Sequence, residues 1–216
     1  LSGELSEDLV PYEPSTPPIP LDEVLWLDEL NAVLASSGAL GTQVKTYYAF
    51  GLHINVELPD VKTDTIIDYL KAYLILEDFL NKDARLDMAR RISPFIGSFP
   101  KKYTRLVVQD GYRPSQKELI RDYLYYNPSR NRSLDMLPLF AYLDEEQVRA
   151  VLPKEKIKPR PAFHYRLSNS KVGEKGWRVA HEWNRWVLVE ELACDKSSLD
   201  ELSKVYKKHL DNLINI

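Results

Sequence analysis

Residues 47–59 read YYAFGLHINVELP, and from Tyr48 to Leu58 every even position is apolar: Tyr48, Phe50, Leu52, Ile54, Val56 and Leu58. The odd positions are Ala49, Gly51, His53, Asn55 and Glu57. Side chains alternate across a strand, so this run predicts a strand with one face buried and the other carrying polar groups. A second run, PAFHYRL at 161–167, places Phe163, Tyr165 and Leu167 on one face and Ala162, His164 and Arg166 on the other. If both strands belong to one sheet, its apolar face packs on helices and its other face lines a polar cleft.

The rest of the chain supplies the helices. Residues 21–36 read as a helix with Leu21, Val24, Leu25, Leu30 and Leu34 inward, and Gly38 stops it. TDTIIDYLKAYLILEDFL at 63–80 carries an apolar stripe through Ile66, Ile67, Leu70, Tyr73, Leu74 and Leu80. SQKE at 115–118 is a capping box opening a helix to about Tyr126, and DEEQ at 144–147 caps a short one. Two helices close the chain, about 178–193 and 198–214; Trp183 and Trp186 point inward on the first, and a Ser198/Glu201 box opens the second. The five prolines of LVPYEPSTPPIP (9–20) permit only a short edge strand and a rigid turn. Residues 81–114 read as irregular, and 127–140 as a polar loop running into an apolar segment. No repeat or inter-domain linker is visible, so residues 1–216 are expected to form a single domain.

Composition narrows the function. A net charge of -3 disfavours nucleic acid and anionic membranes as partners. The single cysteine excludes an internal disulfide and a cysteine-based zinc site, which fits the reducing cytoplasm. No membrane-length apolar run or signal-peptide layout is present. The chain opens at Leu1, and LSGELSEDLV reads as the interior of a longer sequence, so further N-terminal sequence is expected.

The polar strand faces carry the chemistry. His53, Asn55 and Glu57, with Glu13 from the proline-flanked segment, combine carboxylate, imidazole and amide oxygen, a donor set suited to a hard cation such as Mg2+. NPSRNR supplies Arg130 and Arg132, and KIKPRPAFHYR supplies Lys156, Lys158, Arg160 and Arg166. Guanidinium groups suit the phosphates that such a cation accompanies, so a nucleoside triphosphate with Mg2+ would satisfy both sets. Asn184 and Arg185, in HEWNRW, read either as helix packing or as ligand contacts. No glycine-rich phosphate loop, HExxH helix or GxSxG elbow occurs.

Taken in order, LVPYEPSTPPIPLD, YAFGLHINVELP, NPSRNRSLDMLPLFAYLDEEQVR, KIKPRPAFHYRLSN and WRVAHEWNRWVLVEELA resemble the blocks of the amidoligase family, which belongs to the glutamine synthetase and γ-glutamylcysteine synthetase superfamily of carboxylate–amine ligases. The resemblance runs from about Leu9 to Leu192. It implies an α+β fold: a curved, mainly antiparallel sheet whose polar face holds magnesium–ATP, with helices on the apolar face. It implies a role for Glu13, with His53 and Glu57, as metal ligands. Asn55, Arg130, Arg132 and Lys158 would meet the nucleotide, and His53, Arg160 and Arg166 the reacting groups. His164, Asn169, Asn184 and Arg185 would be substrate contacts. His164 stands where related ligases have a metal-binding Glu two residues before the Arg, and the family's first strand, with its Glu-x-Glu motif, is expected before Leu1.

The implied reaction is ATP-dependent: phosphorylation of a carboxylate gives an acyl phosphate, an amine displaces phosphate, and an amide results, with 81–114 as a lid excluding water. Its partners are small-molecule or peptide carboxylates and amines. Two other classes fit the same residues. One is a module that binds a nucleotide or peptide without turnover; the other is a metal-dependent hydrolase using His53, Asn55 and His164.

Overall fold

The two alternating stretches pair with each other. The computed structural model describes residues 14–39, 51–84, 96–167 and 170–214. Among them, three strands form one antiparallel sheet in the order β1-β3-β2. β1 (Ile54–Glu57) and β3 (Ala162–Tyr165) are the centres of the two predicted runs, while β2 (Leu134–Asp135) comes from the segment read as a loop. Tyr48 and Phe50 lie outside the described residues.

Register decides what each face carries. Ile54 stands opposite Tyr165, and Tyr165 opposite Leu134; one residue along, Asn55 stands opposite His164, and His164 opposite Asp135. Neighbouring rows point to opposite sides of a sheet. The Ile54–Tyr165–Leu134 row enters the core, where Tyr165 and Leu134 are fully buried. The Asn55–His164–Asp135 row therefore lies on the other face.

The core row meets α2 (Thr63–Asp83), the longest helix, which packs mainly on α7 (Val179–Cys194). Its predicted stripe is correct: Ile66, Ile67, Leu70, Tyr73, Leu74 and Leu80 are all fully buried. The contact is largely aromatic. Trp186 lies 5.6 Å from Phe163 and 5.4 Å from Tyr165, Tyr69 5.7 Å from Phe163, and Tyr73 6.1 Å from Tyr165, as ring centroids. A fully buried ring of this size contributes about 4–6 kcal/mol of gross hydrophobic driving force before conformational entropy is set against it.

One carboxylate sits inside this apolar layer. Glu77 of α2 accepts hydrogen bonds from the Ser133 hydroxyl (2.8 Å) and the Phe99 backbone N–H (3.3 Å). Burial pushes its pKa up to about 7, against the opposing pull of those bonds. It thereby fastens α2 to two short segments that also join each other: Gly97 N–H donates to Asn131 O (3.0 Å), and Ser133 N–H to Gly97 O (3.2 Å). A Cβ at Gly97 would lie 2.9 Å from Arg132 Nη1, so only glycine fits this approach without displacing the arginine.

Several expectations need correcting. The region 81–114 is not wholly irregular, because α3 (Lys101–Val108) lies within it and buries Tyr103 and Val107; residues 85–95 lie outside the described residues. The helix expected from Leu21 is a 3-10 turn at Leu21–Glu23 followed by α1 (Trp26–Ser36). Leu21 and Leu25 precede its first turn and are 61% and 60% exposed rather than inward. α1 docks instead through Asp28, which accepts from Arg178 Nε (2.8 Å) and from the first N–H of α7, Val179 (2.9 Å). Gly38, with φ 85°, does close α1: its N–H bonds Ala35 O and the N–H of Ala39 bonds Leu34 O, the paired closure that a left-handed residue allows.

The remaining helices are α4 (Gln116–Tyr126), α5 (Leu137–Leu143), α6 (Glu145–Val151) and α8 (Lys196–Ile214). α4 begins with the full Ser115/Glu118 capping box, and Asp144 caps α6. α8 starts earlier than expected, because Asp195 rather than Ser198 caps it, accepting from Ser198 N–H at 3.1 Å. Residues 14–20 form no strand. Among the described residues, no helix is long and apolar enough to cross a membrane.

Candidate functional site: a cationic cluster on the polar sheet face

Asp135 is the centre of the polar face. It is fully buried, and its Oδ2 receives Arg166 Nη2 at 2.9 Å with Arg130 Nε at 3.7 Å. Its Oδ1 accepts the Leu137 N–H (3.1 Å) at the start of α5. Burial raises its pKa above the ordinary carboxylate value, and the two guanidinium groups only partly offset that cost. The pair is therefore not a source of net stability; its effect is to fix where the arginines stand. Arg166 is anchored further by its own N–H, which donates to Ser133 O (2.9 Å).

Arg160 arrives from the proline-flanked stretch before β3. Pro159 and Pro161 restrict the backbone on either side, and the Arg160 N–H donates to Pro138 O (3.1 Å). Its Nε and Nη2 donate to Asn55 Oδ1 (3.1 and 2.7 Å), its Nη2 also meets His164 Nδ1 (3.1 Å), and its Nη1 donates to Lys158 O (3.1 Å). A guanidinium can only donate, so His164 Nδ1 accepts and a neutral ring carries its proton on Nε2. Burial, with Arg166, His53, Arg160 and Arg130 nearby, depresses the His164 pKa to about 2. The ring is consequently neutral throughout the physiological range. His53 lies edge-on to it, with ring centroids 5.1 Å apart.

Three arginines around Asp135, with His164 neutral, give the cluster itself an excess of two positive charges, with the exposed Glu57 further along the same face. Arg166 is occupied by Asp135, whereas Arg130 keeps 31% of its side chain exposed. Such a face is suited to carboxylate or phosphate oxygens.

The other expected site residues divide. Arg132 turns away: its Nε donates to Asn127 Oδ1 (2.8 Å) and its Nη1 to Ser98 O (3.2 Å), which makes it a latch on the Gly97 segment. Lys158 is exposed and enters the cluster only through its carbonyl. Glu57, at the end of β1 opposite Ala162, is exposed. Asn184 is exposed on α7, and Arg185 is bound to Asp83 Oδ2 (2.7 Å) and Glu182, on the helical layer. Glu13 and Asn169 lie outside the described residues. Among the described residues, no group of three or more His, Cys, Asp or Glu is placed to hold a metal. The guanidinium donors gathered here fit an anion.

Asp135 was not foreseen from the sequence. Its only signal is a lone carboxylate in RSLDMLPLF, ahead of an apolar run, which reads as a helix start. It does serve that purpose through Leu137, but its second oxygen orders the arginines.

Comparison with known proteins agrees with the order of the sequence blocks. No curated protein and no solved structure matches the chain. A family model described as "Putative amidoligase enzyme" matches residues 2–188, which include every strand of the sheet and all the residues of the cationic cluster. The chain therefore belongs to this amidoligase family.

Proposed function

We propose that this protein is an ATP-dependent carboxylate–amine ligase of the cytoplasm, with a glutamine synthetase-like catalytic sheet. The observation that carries the reading is the cluster itself: Arg130 and Arg160 stand beside a buried Arg166–Asp135 pair on one sheet face. ATP supplies the phosphoryl group that turns a poor leaving oxygen into a good one. A substrate carboxylate oxygen forms a bond to the γ-phosphorus, and the bond from that phosphorus to ADP breaks. The amine nitrogen then bonds to the acyl carbon, phosphate departs with the bonding pair, and the nitrogen loses a proton.

Each residue has a part in this. Arg130 and Arg160 hold phosphate and carboxylate oxygens, and Asn55 keeps Arg160 in place. Asp135 and Arg166 position the arginine layer. His164, with its pKa depressed to about 2, is too weak a base for the amine proton, and the role of base is assigned to His53, the other imidazole of this face. Mg2+ would accompany the nucleotide and offset the charge on its phosphates, and Glu13, His53 and Glu57 are the residues that the family resemblance offers to hold it. A second reading, a non-catalytic nucleotide- or peptide-binding module, is favoured by His164 at a position where related ligases carry a metal-binding Glu.

The test is ADP release by the intact protein with magnesium–ATP, against pools of amino acids, peptides and amines, with mass detection of new amides. ADP release that requires both an acid and an amine, and that falls at least 100-fold in Arg160→Ala, supports the ligase. ATP binding without turnover in any pool favours the binding module.

A further inference from the structure

His164 stands in the middle of the cluster, flanked across the sheet by Asn55 and Asp135. Its hydrogen bonds fix which ring nitrogen carries the proton. Arg160 Nη2 meets Nδ1 at 3.1 Å, and a guanidinium has no lone pair with which to accept. Nδ1 therefore accepts, and the proton of the ring sits on Nε2. A proton on Nδ1, in the other tautomer or in a charged ring, would aim two N–H groups at each other and forfeit the bond.

The other nitrogen is the unusual one. Among the described residues nothing accepts a hydrogen bond from Nε2. Asp135 Oδ2 lies 3.9 Å from Nδ1 and already receives Arg166 at 2.9 Å. His53 meets the ring edge-on, without a hydrogen bond between the two. Nε2 is not enclosed, because the His164 side chain keeps 10% of its surface exposed and this nitrogen is not one of the sealed polar atoms. A fixed N–H that meets no acceptor of the chain and reaches the surface is free for an acceptor from outside.

The arrangement also limits Arg160. Its Nε and Nη2 bond Asn55 Oδ1, its Nη1 bonds Lys158 O, and its remaining Nη2 hydrogen goes to the ring. All but one of its N–H groups are spent within the chain, one of them on orienting His164. The surroundings select the acceptor. Arg130, Arg160 and Arg166 all act on the ring, so an oxygen arriving at Nε2 sits where negative charge is favoured and an ammonium group is repelled.

We propose that His164 binds the anion of this face as a neutral donor: its Nε2–H bonds a phosphate or carboxylate oxygen, and Arg160 holds the ring in the tautomer that can do so. The proposal rests on the anion-binding reading of the sheet face and does not require turnover.

Nitrogen-15 NMR of the intact protein labelled in histidine tests this, with His53, His181 and His209 assigned by their own substitutions. The free protein is expected to show a His164 ring protonated on Nε2 alone. Two probes separate the sources of oxygen: the magnesium complex of a non-hydrolysable ATP analogue for phosphate, and acetate for carboxylate. One of them is expected to shift the His164 Nε2 resonance on saturation while Nδ1 stays near its free value. Isothermal titration with that probe should show about tenfold weaker binding in His164→Phe, and a smaller loss in His164→Gln, whose amide can still donate. The NMR measurement uses the unaltered His164, so it holds even if neither variant folds. The proposal is overturned if the free ring carries its proton on Nδ1 or on both nitrogens, or if His164→Phe binds as tightly as the wild type. It fails alone if a probe saturates a site that Arg130→Ala weakens, yet Nε2 does not move. If neither probe binds, it fails together with the anion-binding reading of the face.

Discussion

Replacing Asp135 by asparagine isolates the charge that organises the polar face. The amide keeps the shape of the side chain and an oxygen for the Leu137 N–H, which Asp135 Oδ1 accepts at 3.1 Å. What disappears is the counter-ion of Arg166, whose side chain is 11% exposed beside a carboxylate at 0%. Removing one member of a buried ion pair costs about 3–5 kcal/mol, because the survivor is left charged and poorly hydrated. Arg130 adds little, since a guanidinium 31% exposed retains much of its water. The retained amide oxygen argues for the lower end, about 3 kcal/mol. For a chain of this size that is a fall in Tm of about 6–12 °C. Urea and thermal denaturation followed by circular dichroism at pH 7.5 measure it. The double variant Asp135→Asn/Arg166→Met removes the stranded charge as well and should recover more than half of the loss, a coupling of about 2 kcal/mol or more. A loss below 2 °C for Asp135→Asn, or strictly additive losses in the double variant, would refute the idea that a buried ion pair orders this face.

Three further outcomes follow from other buried or capping groups. Glu77 has a folded pKa of about 7, above the unfolded value, so the native state binds more protons and stability falls as pH rises from about 4.5 to 7. Glu77→Gln should therefore gain on the wild type by on the order of 3 kcal/mol between pH 5 and pH 8 in urea melts, and an equal difference at the two pH values would contradict this. His164 has the opposite sign: with a folded pKa of about 2, its contribution is intact above about pH 6.5 and is lost as pH falls below it, when only the unfolded chain takes up the proton. Its Cε1 resonance should stay flat from pH 8 to 5, and a titration midpoint in that window would exclude the neutral buried ring. Ser115→Ala should cost about 1 kcal/mol by breaking the reciprocal bonds at the start of α4, and a change under 0.3 kcal/mol would show the cap to be dispensable.

What could be read from the chain was whatever repeats locally. Alternation located β1 and β3 and assigned Phe163 and Tyr165 to the core and Asn55 and His164 to the other face, because period two is visible within one segment. The stripe of α2 was legible for the same reason. Arg130 and Arg132 show the limit: two residues apart and chemically alike, they read as one basic pair, yet only Arg130 reaches Asp135, while Arg132 is drawn off by Asn127 and Ser98. That difference depends on the Gly97 segment lying alongside Arg132, a contact between distant parts of the chain. α3 escaped notice because its mixed basic and apolar sequence, KKYTRLVV, is too short to display a stripe. The exposure of Leu21 and Leu25 escaped for a different reason: an apolar residue before the first helical turn has no defined face.

The strand order has a consequence for how the protein is made. β3 occupies the middle of the described sheet but is the last of its strands to be synthesised. Until it emerges from the ribosome, β1 and β2 lack the strand that each pairs with among the described residues, and the loop to be closed is long: Asn55 and Arg160 are 105 residues apart. Helices α2 and α4, built from local contacts, can form during that interval, whereas the sheet must wait. The cationic cluster would then come into being in one late step, when a single strand inserts between two others and brings Arg160, His164 and Arg166 to Asn55 and Asp135 together. A growing chain would carry no half-built anion site, and a protein cut short before Ala162 would have helices but no cluster.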